Sequence, residues 1–192
     1  ICPLLHFRFY CHKLRCYMFV SPVFGGEESL YKLLLQAYSV ALYALLKRLS
    51  NTYPTCHFHF DHSRARHIYE YEHNLGTRLR FCQPAACWSF PSELLATINP
   101  EASEIRWRRF ALSQPPEFSE ELFSVQVAQY IYQFPQHTQS KLADEFAMSA
   151  ATFKRKLKEY GWSFSQLQRQ QHTIKAMYLL TVKSKANEYV AE

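Results

Sequence analysis

The chain reads as an α+β protein: a mixed N-terminal part of strands and helices, then an all-α part built around a helix-turn-helix. Three observations lead there. Short segments in the first ninety residues alternate in polarity at strand spacing. Everything after a double-proline linker repeats its apolar side chains at helix spacing. Within that second part, residues 138–160 form two short helical patterns separated by a tight turn, the second rich in lysine and arginine.

The elements follow in order. Leu5, Phe7 and Phe9 alternate with His6, Arg8 and Tyr10, which predicts a strand and a hairpin closing near His12-Lys13. Leu30, Leu33, Leu34, Ala37, Ala41, Leu45 and Leu49 predict an amphipathic helix from about Glu28 to Leu49. Gly25-Gly26 precede it, Glu27 and Glu28 suit its positive end, and Lys47 and Arg48 suit its negative end. Its apolar run, Leu33 to Leu46, is interrupted by Gln36 and Ser39 and is too short for a bilayer, so no membrane partner is expected. His57-Phe58-His59-Phe60 predicts a strand with the phenylalanines inward. A short helix over 63–75 carries Ile68, Tyr71 and Leu75 on one side and stops at Gly76. Two short strands, 78–82 and 87–90, flank the Gln83-Pro84 turn, and Pro91-Ser92 opens a helical turn through Leu95. Asn99-Pro100 closes this part, and the stretch after it is poorly patterned.

The predicted division is therefore 1–112, a linker 113–118 containing Ser113-Gln114-Pro115-Pro116, and 119–192. Ser119 is placed to cap a helix with Glu120 and Glu121 in its first turn. Leu122, Phe123, Val127, Ile131 and Phe134 form its apolar side, and Pro135 stops it. In the helix-turn-helix, Leu142 and Ala143 point inward, Ala147 sits at the turn, and Met148 plugs the corner. Ser149 caps the second helix, and Phe153 and Leu157 are its buried stripe. Gly161 ends that helix. A further helix over 165–181 turns Leu167, Ile174, Met177 and Leu180 inward.

Charge gives the second part a direction. The 192 residues carry a formal net charge of +6, with a sequence pI near 9.0. Six bases (Lys154, Arg155, Lys156, Lys158, Arg169, Lys175) against one acid, Glu159, give net +5 over residues 149–175. A polyanion is the natural partner of such a helical face. On the second helix, Ala151, Lys154, Arg155 and Lys158 share the side opposite Phe153 and Leu157. Arg155 is the candidate for a guanine edge because its planar fork matches O6 and N7 together. Lys154 can reach a base or a phosphate, Lys158 a phosphate, and Ala151 offers a methyl contact. Ser149 and Thr152 lie at the helix N-terminus, within reach of a phosphate backbone.

These residues carry a resemblance. Residues 119–181 resemble the DNA-binding domain of bacterial AraC-type (AraC/XylS) transcriptional regulators. The match lies in Leu142-Ala143, Ser149, Thr152-Phe153, Arg155, Gly161 and Phe164, with Ala176 and Leu179-Leu180 on the connecting helix. Residues 183–192 resemble the opening of the family's second helix-turn-helix, whose recognition helix is missing from this chain. His172 stands where the family usually has arginine, and Ala151 where a larger side chain is common. More loosely, Phe58-x-Phe60-x-His62, Tyr71, Gly76, Phe81, Trp88-x-Phe90 and Leu94-Leu95 resemble the arabinose-binding-like N-terminal region of family members.

The resemblance implies a sequence-specific transcriptional regulator of the cytoplasm, truncated at both ends, with double-stranded DNA as partner. The N-terminal part would sense a small molecule or mediate homodimer contacts. The competing expectation is a protein-interaction module with a basic helical face and no DNA function. An enzyme is not expected: there is no GxSxG, P-loop or GxGxxG, and no cysteine–histidine pair with an orienting carboxylate. No cofactor is implied. His57, His59 and His62 are close in sequence, as are His6, Cys11, His12 and Cys16, but neither group has convincing partner spacing for a metal. The six cysteines include no CxxC and are expected as reduced thiols. Phe58, Phe60, Trp88 and Phe90 are read as core rather than as the lining of an effector pocket.

Overall fold

The computed structural model describes residues 4–64, 66–97, 102–113 and 122–183. The elements are β1 (Leu5–His12), β2 (Arg15–Pro22), α1 (Glu28–Ser50), β3 (His57–His59), α2 (Ile68–Leu75), β4 (Leu79–Arg80) and β5 (Ala86–Pro91). A 3-10 turn (Ser92–Leu95) follows, then α3 (Glu104–Ser113), α4 (Phe123–Gln133), α5 (Gln139–Glu145), α6 (Ala150–Glu159) and α7 (Phe164–Met177). One wide helical turn, Tyr178–Val182, continues α7. The fold is α+β.

The five strands form one sheet in the order β1-β2-β5-β3-β4. β1 and β2 are an antiparallel hairpin, Leu5 opposite Pro22 and His12 opposite Arg15. β5 lies antiparallel between β2 and β3, and β3 pairs with β4 in parallel. The two strands expected around Gln83-Pro84 therefore do not pair with each other; β3 stands between them. Within the hairpin Cys11 faces Cys16, and the two are joined in a disulfide with Cα atoms 4.2 Å apart. The expectation of reduced thiols fails at this pair.

Strand alternation sends side chains to two cores. Val20, Phe58, Phe60, Trp88 and Phe90 pack on one face beneath Leu35 and Leu46 of α1. Phe19, Ala85 and Cys87 pack on the other, where Ile174, Met177 and Val182 cover them. β5 is thus buried on both sides, and the aromatic pairs Phe58/Phe60 and Trp88/Phe90 are core, as expected. A third core, Phe123, Val127, Ile131, Leu142, Phe153, Leu157 and Leu167, lies among α4–α7.

Several expectations need correction. By length and composition α1, at 23 residues, is apolar enough to cross a membrane, although its run from Leu33 to Leu46 alone is too short to do so. Here it lies along the sheet with Leu35, Ser39 and Leu46 buried. Residues 104–113, expected to be unpatterned, form α3. Its Ile105 and Trp107 are exposed, so no single apolar stripe marks it, and an Arg108–Glu104 ion pair at 2.6 Å supports it locally. Phe134, at the end of α4, and Leu180, after α7, are exposed rather than inward. The expected linker beyond Ser113, the Ser119 cap, Asn99-Pro100 and residues 184–192 lie outside the described residues.

Candidate nucleic-acid interface

The α5–turn–α6 unit is built by local hydrogen bonds that its sequence prescribes. Thr138 caps α5, accepting from the Lys141 amide at 3.3 Å. Ser149 caps α6, accepting from the Thr152 amide at 3.2 Å, and its hydroxyl also lies 2.9 Å from Thr152 Oγ1. Between them Ala147 takes a left-handed φ of 51°. That conformation lets the Ala147 amide donate to Asp144 O and the Met148 amide to Ala143 O, both at 2.9 Å, the paired bonds that close a helix end. α6 ends the same way: the Gly161 amide donates to Lys158 O and the Trp162 amide to Leu157 O.

These caps fix the faces of α6. Phe153 and Leu157 are essentially inaccessible, as are Leu142 and Ala143 on α5. Ala151, Thr152, Lys154, Arg155 and Lys158 are exposed, with Ser149 at the head of the same helix. All six candidate contact residues are therefore exposed, and Ala151, Lys154, Arg155 and Lys158 share the side of α6 opposite Phe153 and Leu157. Lys156 differs: its ammonium sits 4.5 Å over the Phe123 ring and belongs to the packing. His172 reaches Pro135 O at 3.2 Å, tying α7 to the turn after α4.

The end of α6 is anchored to the sheet unit, which sequence reasoning missed. The Gly25 amide donates to Tyr160 O at 2.8 Å. Trp162 Nε1 and Ser124 Oγ both donate to Val23 O, at 2.9 and 3.0 Å. Phe24 stacks on Tyr160, ring centroids 5.4 Å apart. Gly25 and Gly161 meet backbone to backbone, so a Cβ on either would overlap the other's carbonyl. A second tie runs through β1. Arg8 donates to Gln171 Oε1 at 3.3 Å and covers the Tyr132 ring at 3.8 Å, while Tyr10 donates to Tyr132. A Gly-Gly pair before a helix and a lone helix-ending glycine each signal a turn; nothing in the sequence says that they touch.

The histidines do not assemble. His57 and His59 lie on β3, where burial and neighbouring arginines hold both below the usual histidine range. His62 is buried among Phe60, Tyr71 and Phe81, its Nδ1 2.9 Å from Ser63 O. Among the described residues no group of three or more His, Cys, Asp or Glu side chains is placed to hold a metal ion. Burial pushes the Cys56 thiol up to about 11 and Cys87 up to about 12, so neither is a thiolate at neutral pH. Tyr31 donates to Asp61 at 2.9 Å, and burial raises both groups.

No protein-family model matches the chain, and neither curated proteins nor solved structures give a significant match to it.

Proposed function

We propose that residues 138–160 are a helix-turn-helix and that the chain is a sequence-specific DNA-binding transcriptional regulator of the AraC type. In this reading a sheet-based N-terminal unit, which senses a small molecule or mediates homodimer contacts, precedes an all-helical DNA-binding unit. The observation that carries it is the division of α6: Phe153 and Leu157 sealed in the core, and Lys154, Arg155 and Lys158 exposed along the opposite side. A helix held by one face and cationic on the other fits the major groove, where phosphates flank the base edges. Arg155 reads a base, Lys154 a base or phosphate, and Lys158 a phosphate. Ala151 meets the groove floor, while Ser149 and Thr152 border the backbone.

The test is fluorescence anisotropy with double-stranded DNA over a salt series, using sequences selected from a random pool. A phosphate-contacting protein loses affinity steeply as salt rises. Arg155→Ala should relax preference at one base pair by roughly 1–3 kcal/mol, whereas Lys158→Ala should weaken all sequences alike and lower the salt slope by about one. Uniform losses for both variants would mean that Arg155 reads no base. No binding at low salt would leave the protein-interaction module as the better account.

A further inference from the structure

We propose that the cleft between α1 and the C-terminal end of α6 binds a small hydrophobic organic cation, an ammonium group on an apolar body, and that its occupancy acts on the anchor holding α6. The cleft has a volume of about 460 Å³, within the range of small-molecule sites. Its walls come from both units: Phe24, Leu30 and Leu34 from one, and Tyr160 with Lys158 and Glu159 from the other. In the aromatic core, by contrast, Phe58, Phe60 and Trp88 are fully buried.

The charges choose the class of ligand. Two carboxylates, Glu27 and Glu159, line the cleft against one ammonium, Lys158. Phe24, Tyr31 and Tyr160 add aromatic walls, whose faces attract cations. An alkyl or aryl body fills the apolar end and an ammonium head meets the acids. A carboxylate head would meet two like charges.

The position of the cleft supplies the regulation. Phe24, Gly25, Tyr160 and Gly161, which line it, are the same residues that join the two units by hydrogen bond, ring stacking and backbone contact. Lys158 lines it too, and is also the phosphate-contact candidate. A bound cation repels that ammonium from the cleft toward the DNA-facing side. Ligand and DNA then strengthen each other's binding by one common factor. This regulatory half rests on the DNA-binding reading; the binding half does not.

The experiment titrates the full chain, by calorimetry and without DNA, with phenylpropylamine, phenylpropanol and phenylpropanoate, which share a skeleton and differ in the head. The amine should bind tightest and the carboxylate weakest. Glu27→Gln with Glu159→Gln, both at exposed positions, should weaken the amine by at least about threefold, the equivalent of a partly exposed ion pair, and leave the alcohol unchanged. Leu30→Trp, which fills the cleft, should abolish binding of all three. Tightest binding by the carboxylate, an amine indifferent to the double glutamine variant, or no saturable binding at all would each overturn the site. Saturating amine should then raise DNA affinity; an unchanged affinity overturns the coupling. A chain that takes the amine but no DNA in any salt retains the site and loses the regulator.

Discussion

The sheet unit and the helical unit are stabilised on different length scales. In the helical unit α5, α6 and α7 each begin at a serine or threonine whose side chain accepts a backbone amide: Thr138, Ser149 and Ser163. The same two helices that form the candidate interface also end in paired carbonyl-closing bonds. In the sheet unit α1 and α2 begin at Glu27 and His67 with no side-chain cap. Its sheet depends on β5 inserting between β2 and β3, which pairs Arg15 with Pro91 and Cys16 with Phe90. Three of the four buried side-chain polar atoms without a partner among the described residues, on Arg8, His62 and Trp88, also lie there. From α5 onward the helical unit is specified by neighbours in sequence, although its α4 begins at Leu122 with no side-chain cap. The sheet unit is specified by residues that meet only after the chain has folded.

The comparison is broken most forcefully through the two cores. Phe153→Ala and Trp88→Ala each empty a fully buried aromatic site, and each should cost about 3–5 kcal/mol. Because Phe19 and Cys87 share a core with Ile174 and Met177, the units should still unfold together. Far-ultraviolet dichroism and tryptophan fluorescence should trace one urea transition in both variants. Two separated transitions in Phe153→Ala would show that the helical unit stands alone and that the shared core adds little.

A smaller effect tests the anchor itself. Gly25→Ala sets a methyl group into Gly161 O and the Trp162 ring. The two backbones must part, at a cost of roughly 1–3 kcal/mol as in other overpacked sites. Hydrogen exchange should report the loss at the Gly25 amide and along the last turn of α6, with the hairpin β1–β2 protected as before. Loss spread evenly over the chain would show that the anchor is not the boundary between the units.

The same contrast explains what was legible in the sequence. The helix pair could be read almost residue by residue, since caps, turn and buried stripe lie within about twenty positions. Thr138 is the exception: with Lys141 rather than Glu or Gln three positions on, its cap carries no capping-box signature. Strands were found where alternation was clear, at Leu5–Phe9 and Phe58–Phe60, but not their order, because pairing depends on partners dozens of residues away. α3 escaped because a helix exposed on most sides carries no stripe. The cleft escaped because its lining comes from residues 4–34 and 158–161, which no local pattern connects. Neither the Cys11–Cys16 register nor the meeting of Gly25 with Gly161 follows from spacing alone.

Removing caps measures how far the helical unit relies on local bonds. Ser149→Ala and Ser163→Ala should each cost about 1 kcal/mol, within the usual range for a cap. Ser163 should cost the more of the two. Its hydroxyl accepts the Gln166 amide at 3.3 Å while Gln166 Oε1 takes the Ser163 amide at 3.0 Å, so the change disturbs a reciprocal pair. Thermal unfolding of the two variants side by side gives the ranking. Equal losses, or none, would mean that tertiary packing and not capping sets the helix starts.

The smallest effect has the opposite sign. Ala147 holds a left-handed φ of 51° between α5 and α6 and is exposed. Alanine pays roughly 1–2 kcal/mol for that conformation. Glycine adopts it freely but loses about 0.4–1 kcal/mol through its more mobile unfolded chain. The balance favours glycine, so Ala147→Gly should raise stability by up to about 1 kcal/mol, seen as a higher urea midpoint with an unchanged slope. The turn geometry stays the same, so the placement of α6 and any DNA affinity should stay the same as well. A lower midpoint would mean that the Ala147 methyl group contributes contacts that outweigh its backbone strain, and that this turn is held by packing, as the sheet unit is, rather than by local bonds.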